Sequence, residues 1–527
     1  MEINKNFPYN FIVLLIGLVI SLPILIIFLN IFELSVNDII DFVSTNFSNY
    51  LNQTFILIFL TSLYSLIFAV IPAFLVSFFN IKYRELIDLF LILPLSIPCY
   101  ILAFTYSDVL GFNGTLYNFL NLFFNFNYDV LNINWLSIFL ALSLYPYIYV
   151  SSRISFSLIG STYINLSKSL NLSKYSIISK VILPLSFSGI LSGLTLVIME
   201  ILNEYGAVKY FGIETFSVGI FKYWFSLDEK NISIFLSSIL IIIVIVLMIF
   251  SNYISKREEK VRYHIKSNSS YYLFDKLKFN ILIYFFILMP FFLGFFLPLF
   301  FIIINVIKNF NFYDFKELFG LVSNSLSLGI FSSLLIVFIS FYLLNIKRIL
   351  NTKYIKFIVK FITTGYAIPG AVIGFSIMMA IRYFDSQLTF LMGSIYLLIY
   401  AYIFRFISVA IFPIQSSLER QPKIFDKQAK SLNATYLKIF RSITFPLNKH
   451  ALFSAFILVF IDIIKELPIT LILRPFNFDT LATQTYIYAS EEKLGFSSLF
   501  SLIIILCCSI MLIYVTTILN KKNVPRG

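Results

Sequence analysis

Charge is scarce in this 527-residue chain: Asp, Glu, Lys and Arg together supply 12% of it, against about 25% in a soluble globular protein. Cysteine is limited to Cys99, Cys507 and Cys508, all inside apolar runs and without zinc-site or disulfide spacing. They read as small buried hydrophobes. The two histidines, His264 and His450, read as structural. No glycine is followed by lysine, so the chain has no Walker A loop and no ATPase site of its own. It also has no nucleophile–base pair, so no catalytic residue is assigned. What is abundant is apolar: 59% hydrophobic residues and a mean hydropathy of +0.90. A bilayer can accept that much apolar surface, and water cannot.

Twelve apolar runs are long enough to cross about 30 Å of hydrocarbon, near residues 10–32, 54–80, 86–107, 135–158, 186–207, 232–254, 280–307, 322–345, 357–381, 389–412, 450–473 and 495–519. Their apolar character is continuous, not alternating, which selects helices over a barrel. The first run is too long for a cleavable signal core and is read as a span. One strongly polar break, 255–279, divides six spans from six, giving a first half 1–254 (core about 54–254) and a second half 280–527 (core about 322–519).

The net charge of +13 lies mostly between spans. Alternate gaps plus the termini hold 30 of the 39 Lys and Arg residues. This asymmetry predicts that both termini are cytoplasmic. Without a soluble recognition fold, the basic excess does not point to nucleic acid.

The halves repeat. KSLN at 168–171 recurs 262 residues later at 430–433, and Pro184 recurs as Pro446. Between 165–185 and 427–447 seven positions are identical: Lys168, Ser169, Leu170, Asn171, Ile177, Pro184 and Leu185. Both copies fall between the fourth and fifth spans of their half, and six spans per half make the repeats parallel.

Each copy predicts a short helix ending at Leu170 or Leu432. Asn171 and Asn433 then suit a left-handed turn, and Ser173 and Thr435 cap a second helix that stops near Pro184 or Pro446. The expected product is a helix–turn–helix elbow with an apolar and basic surface, suited to docking in a partner's groove.

The elbows have the spacing of the EAA loop of binding-protein-dependent ABC importers: Glu-Ala-Ala, three residues, Gly, nine residues, Ile, one residue, Leu-Pro. Asn165-Leu166-Ser167 and Lys427-Gln428-Ala429 stand at the first triplet, Asn171 and Asn433 at the glycine, Val181 and Ile443 at the isoleucine, Leu183 and Phe445 at the leucine. The acidic residue and the glycine are replaced in both copies. Residues 142–153, 196–225 and 461–486 further resemble the two halves of fused ferric-iron ABC permeases.

The resemblance implies an all-α type I importer permease fold in a bacterial inner membrane. It implies coupling loops at 160–184 and 420–446, carrying Ser167, Lys168, Ser169, Leu170, Asn171, Ser173 and Pro184 in one copy and Ala429, Lys430, Ser431, Leu432, Asn433, Thr435 and Pro446 in the other. Two copies of a cytoplasmic ATPase would grip these loops and use ATP, while this chain binds no cofactor. A periplasmic or surface-tethered binding protein would dock on external loops including 206–231 and 474–494.

Within the spans, Glu200, Asn203 and Glu204 match Asp462, Lys465 and Glu466 at the same offset. Charges at such depth are costly and face a cavity or a partner. They are read either as part of the translocation pathway or gate, or as a packing network in which Lys465 pairs with Asp462 or Glu466. Pro94 and Pro98 interrupt the third span, and Gly365, Pro369, Gly370 and Gly374 the ninth; broken helices can line a path or can be a packing feature. Ferric iron favours oxygen ligands, but the 33 tyrosines and the acids show no ligand spacing, so no tight metal site is expected. The alternatives are a permease for thiamine or another small solute and an ion-driven secondary transporter.

Overall fold

The computed structural model describes residues 3–32, 34–112, 114–124, 129–159, 161–262, 281–350, 352–383, 389–422, 424–432 and 435–523. All the extended elements among them are helices. Nine of these helices are long and apolar enough to cross a membrane. Three bent pairs raise the number to twelve: Phe11–Pro23 with Leu25–Ile31, Arg84–Ser96 with Cys99–Leu110, and Lys353–Ala367 with Gly370–Ile381. The cause of the helices is the bilayer itself, because each segment must satisfy its own backbone groups in lipid. Of the polar stretch 255–279, residues up to Arg262 continue the helix Lys230–Arg262, and 263–279 lie outside the described residues.

The helices form two compact units. The first-repeat unit gathers the described residues between Leu34 and Tyr313 together with Gln484–Ser509. At its centre the helices Phe47–Phe78, Ile133–Leu158 and Leu183–Asn203 pack on one another. Gly189 and Gly193, four residues apart, allow the last two to approach closely. A Cβ on Gly193 would stand 2.6 Å from the Ile148 Cα, and one on Gly189 would strike the Ser155 side chain. Small residues at this spacing serve backbone contact in membranes.

The second-repeat unit is built on Phe315–Leu350, Ile395–Arg420 and Phe445–Lys465. It also includes the chain's first helix, Ile3–Ile31. Gly17 lies against Ile358, and the Tyr400 hydroxyl donates to the Val19 carbonyl at 2.5 Å. Reciprocally, Ile281–Phe291 and Leu297–Asn309, from the start of the second half, belong to the first-repeat unit. There Phe291 stacks on Phe90 at 4.8 Å, the Tyr106 hydroxyl donates to Leu293 O at 2.5 Å, and Asn305 donates to Asp108 at 2.7 Å. The spatial units therefore exchange their leading helices and cut across the halves drawn at residue 254.

Candidate coupling elbows and broken spans

The first elbow begins with the helix Ser161–Ser169. The helix closes on a Schellman turn: Asn171 N donates to Lys168 O at 2.9 Å, and Leu172 N donates to Ser167 O at 3.1 Å. Asn171 carries the turn with φ of +54°, a region open to Gly and, next, to Asn. Ser173 Oγ then accepts from Ser176 N at 3.2 Å, capping the following helix. Ile164, Ile177 and Ile182 point inward, whereas Leu166, Leu170 and Tyr175 are exposed.

The second elbow shares the leading helix and the cap of the following one. Its helix is Ile424–Ser431, and Lys438 N donates to Thr435 Oγ1 at 3.4 Å. Ala429 and Ile439 are buried, and Ile424 and Phe425 are exposed. Asn433 and the side chain of Lys430 lie outside the described residues. Leu170 is 73% exposed and its counterpart Leu432 is 82% exposed. A large aliphatic side chain is thus exposed at the matching position of both repeats, beside other exposed apolar side chains.

The prolines correct one expectation. The second helix of each elbow was expected to stop near Pro184 or Pro446. Instead it runs straight into the fifth span of its half: Lys174–Asn203 is one membrane-length helix, and Phe440–Lys465 continues from Tyr436–Ile439. The reason is a π-turn just before each proline, Ile178–Ile182 and Phe440–Thr444. A proline in an α-helix clashes with the carbonyl four residues back and lacks the N–H that would bond it. The wider π-turn displaces that carbonyl, so the helix continues. The same device, Phe292–Phe296, precedes Pro298. Each elbow is thus mechanically continuous with a span.

Both interrupted spans are sharply bent, by 86° in the first half and 112° in the second. Each bend leaves a carbonyl without a helical partner, and a neighbouring span supplies the donor. Ser143 Oγ donates to Ile97 O at 2.8 Å, just before Pro98. Arg405 Nη1 donates to Ile368 O at 3.1 Å, just before Pro369. Arg405 and Ser143 occupy the same place in the two repeats, 262 residues apart.

Arg405 is buried inside the span Ile395–Arg420. Its Nε faces Glu466 Oε2 at 3.4 Å as an ion pair, with both side chains at most 5% exposed. Glu466 Oε1 also accepts from Ile469 N at 3.1 Å, and its carbonyl accepts from Thr470 Oγ1, which shares a hydrogen bond with Tyr402. The close fit needs Gly370: a Cβ there would stand 2.7 Å from Glu466 Oε1 and 3.2 Å from Arg405 Nη1. In the other repeat Glu204 Oε1 accepts from Ala207 N at 2.9 Å, so both acids cap the short helix that follows, Gly206–Tyr210 or Pro468–Leu473.

Of the remaining charges, Lys465 pairs with Asp462 at 3.6 Å. Glu200, Asn203 and Glu204 lie in the first-repeat unit, and Asp462, Lys465 and Glu466 in the second. Beyond the span in the first repeat, Glu214 binds Lys222 at 2.9 Å and holds that ammonium above the ordinary lysine range. Among the described residues no group of three or more His, Cys, Asp and Glu side chains could hold a metal ion.

Comparison with known proteins places these repeats. The family described as binding-protein-dependent transport system inner membrane component matches in two segments, residues 65–260 and 346–526. Among curated proteins, the Fe(3+)-transport system permease protein FbpB 2 of Haemophilus influenzae is 23% identical over 514 residues, 96% of this chain and 97% of that protein. A duplicated family match over most of the chain, on an all-helical membrane fold, identifies it as a member of the binding-protein-dependent transport system inner membrane component family, the permeases of ABC importers.

Proposed function

We propose that this chain is the whole transmembrane pathway of an ATP-driven importer, its two pseudo-symmetric halves in one polypeptide, and that its cargo is ferric iron. The mechanical part of the reading rests on the elbows at 160–184 and 420–446. Their exposed Leu170 and Leu432 dock into two copies of a cytoplasmic ATPase, and the unbroken helices behind them carry the movement into the fifth span of each half. ATP closes the ATPase pair, the elbows move with it, and the pathway alternates between outward-open and inward-open states. The termini and the stretch 255–279 then lie in the cytoplasm of a bacterial cell, and the binding protein docks outside on 206–231 and 474–494.

Support for iron comes from the relative named for Fe(3+) transport, similar over nearly its full length. In this reading specificity resides in the binding protein, and the permease passes the ion without a lasting site. In this reading Glu200, Asn203 and Glu204 of the first-repeat unit line the pathway or its gate, as do Asp462 and Lys465 within the second-repeat unit, where Glu466 is held by Arg405. Uptake of labelled ferric iron by iron-starved cells with and without the gene tests the cargo. Loss of uptake in its absence is the expected result. Normal iron uptake with thiamine uptake lost would replace iron by thiamine.

A further inference from the structure

At the end of the second-repeat unit that carries the elbow lies a cavity of about 250 Å³. Among the described residues it is lined by Lys347, Arg348, Lys356, Gln415, Glu419 and Gln421 with Leu344 and Leu418, three cations against one carboxylate. The Lys347 ammonium has a neutral partner, Gln415 Oε1 at 3.2 Å, while Glu419 is occupied by Gln415 Nε2 at 2.7 Å. Gln421, although buried, leaves its Nε2 without a hydrogen-bond partner, and a buried donor in that condition is costly. The cavity therefore offers excess positive charge and an unused donor together.

The corresponding place in the first repeat shows what a self-neutralised version looks like. Gln415 is replaced there, 262 residues earlier, by Arg153. Arg153 is paired with Asp88 through Nε at 3.1 Å and Nη2 at 3.3 Å, and donates to Ser77 at 3.2 Å. The second repeat gathers lysines instead, with Lys353, Lys356 and Lys360 along Lys353–Ile362 opposite the buried Ile355, Val359 and Ile362.

We propose that this cavity binds a phosphate-bearing anion, either the phosphodiester of an anionic lipid headgroup or free phosphate. Basic pockets between spans on the cytoplasmic side recognise such groups, and the cytoplasmic placement rests on the importer reading above. The bound anion bears on the elbow from both sides. Arg348 holds the carbonyls of Leu418, Gln421 and Pro422 at the end of the preceding span, and Gln421 Oε1 accepts from Asn448, on the helix that follows, at 3.0 Å. Occupancy ties the two ends of the second elbow together and has no counterpart at the first.

The test uses the full chain in phosphatidylcholine nanodiscs, without ATPase or binding protein, so its failure is separate from failure of the transport reading. Thermal unfolding is followed while phosphatidylglycerol replaces part of the lipid or inorganic phosphate is titrated in. A rise in Tm with phosphatidylglycerol alone identifies a lipid headgroup, and a rise with phosphate in pure phosphatidylcholine identifies a free anion. In either case K347Q/K356Q weakens the effect about tenfold, K353Q/K360Q leaves most of it, and E419Q strengthens it. The proposal is overturned if neither anion raises Tm, or if K353Q/K360Q loses as much as K347Q/K356Q. Should K347Q/K356Q fail to fold, E419Q decides: binding no tighter than in the unaltered chain overturns the proposal.

Discussion

The two repeats meet one backbone problem with different chemistry. Each has a span broken before a proline, and each must satisfy the carbonyl that the break sets free inside the protein. The first repeat uses the Ser143 hydroxyl, a small neutral donor. The second uses Arg405, whose charge must then be neutralised by Glu466, whose closeness in turn requires Gly370. One site is a single hydrogen bond between two spans, and the other binds three separate elements together. Duplication preserved the bend and left each copy free to stabilise it in its own way.

The largest effect is expected at Arg405. Arg405→Met strands Glu466 as a buried charge and costs about 3–5 kcal/mol, read as a steep loss of Tm and yield of the purified chain. Adding Glu466→Gln, which keeps an acceptor for Ile469 N, should recover much of that loss; a double variant no better than Arg405→Met would show that the pair is not the cause. A smaller change is expected from Asn171→Ala, which forces a Cβ-bearing residue without a polar side chain into φ of +54° at about 1–2 kcal/mol. Asn171→Gly should be close to neutral. Equal losses in both would remove the left-handed turn as the reason for asparagine. Smallest is Ser143→Ala, at about 1 kcal/mol in the same unfolding measurement. If it matched Arg405→Met, the contrast between the repeats would fail.

Much of this was legible in sequence because its signals are local. Continuous apolar runs gave the spans, the Leu-Asn pair gave the turn at 170–171, and Ser173 and Thr435 gave the caps. Arg405 escaped because its partners lie at Ile368 and Glu466, and nothing nearby distinguishes a buried arginine from the basic residues that follow it. The prolines misled for a related reason: proline forbids an α-turn, but the π-turn that evades it has no residue signature of its own. The exchange of leading helices between units is likewise a long-range packing outcome, carried by contacts such as Gly17 on Ile358 and Phe90 on Phe291.

The account depends most on the elbows as docking surfaces, and the paired charge variants Leu170→Asp and Leu432→Asp address that directly. Both side chains are exposed and lie outside the membrane-length helices, so the substitutions should leave folding and membrane insertion intact. Co-purification of the cognate ATPase with membranes should fall by about tenfold or more with both changes, each adding a charge to an apolar contact. Undiminished retention of the ATPase by the doubly substituted chain would contradict the account.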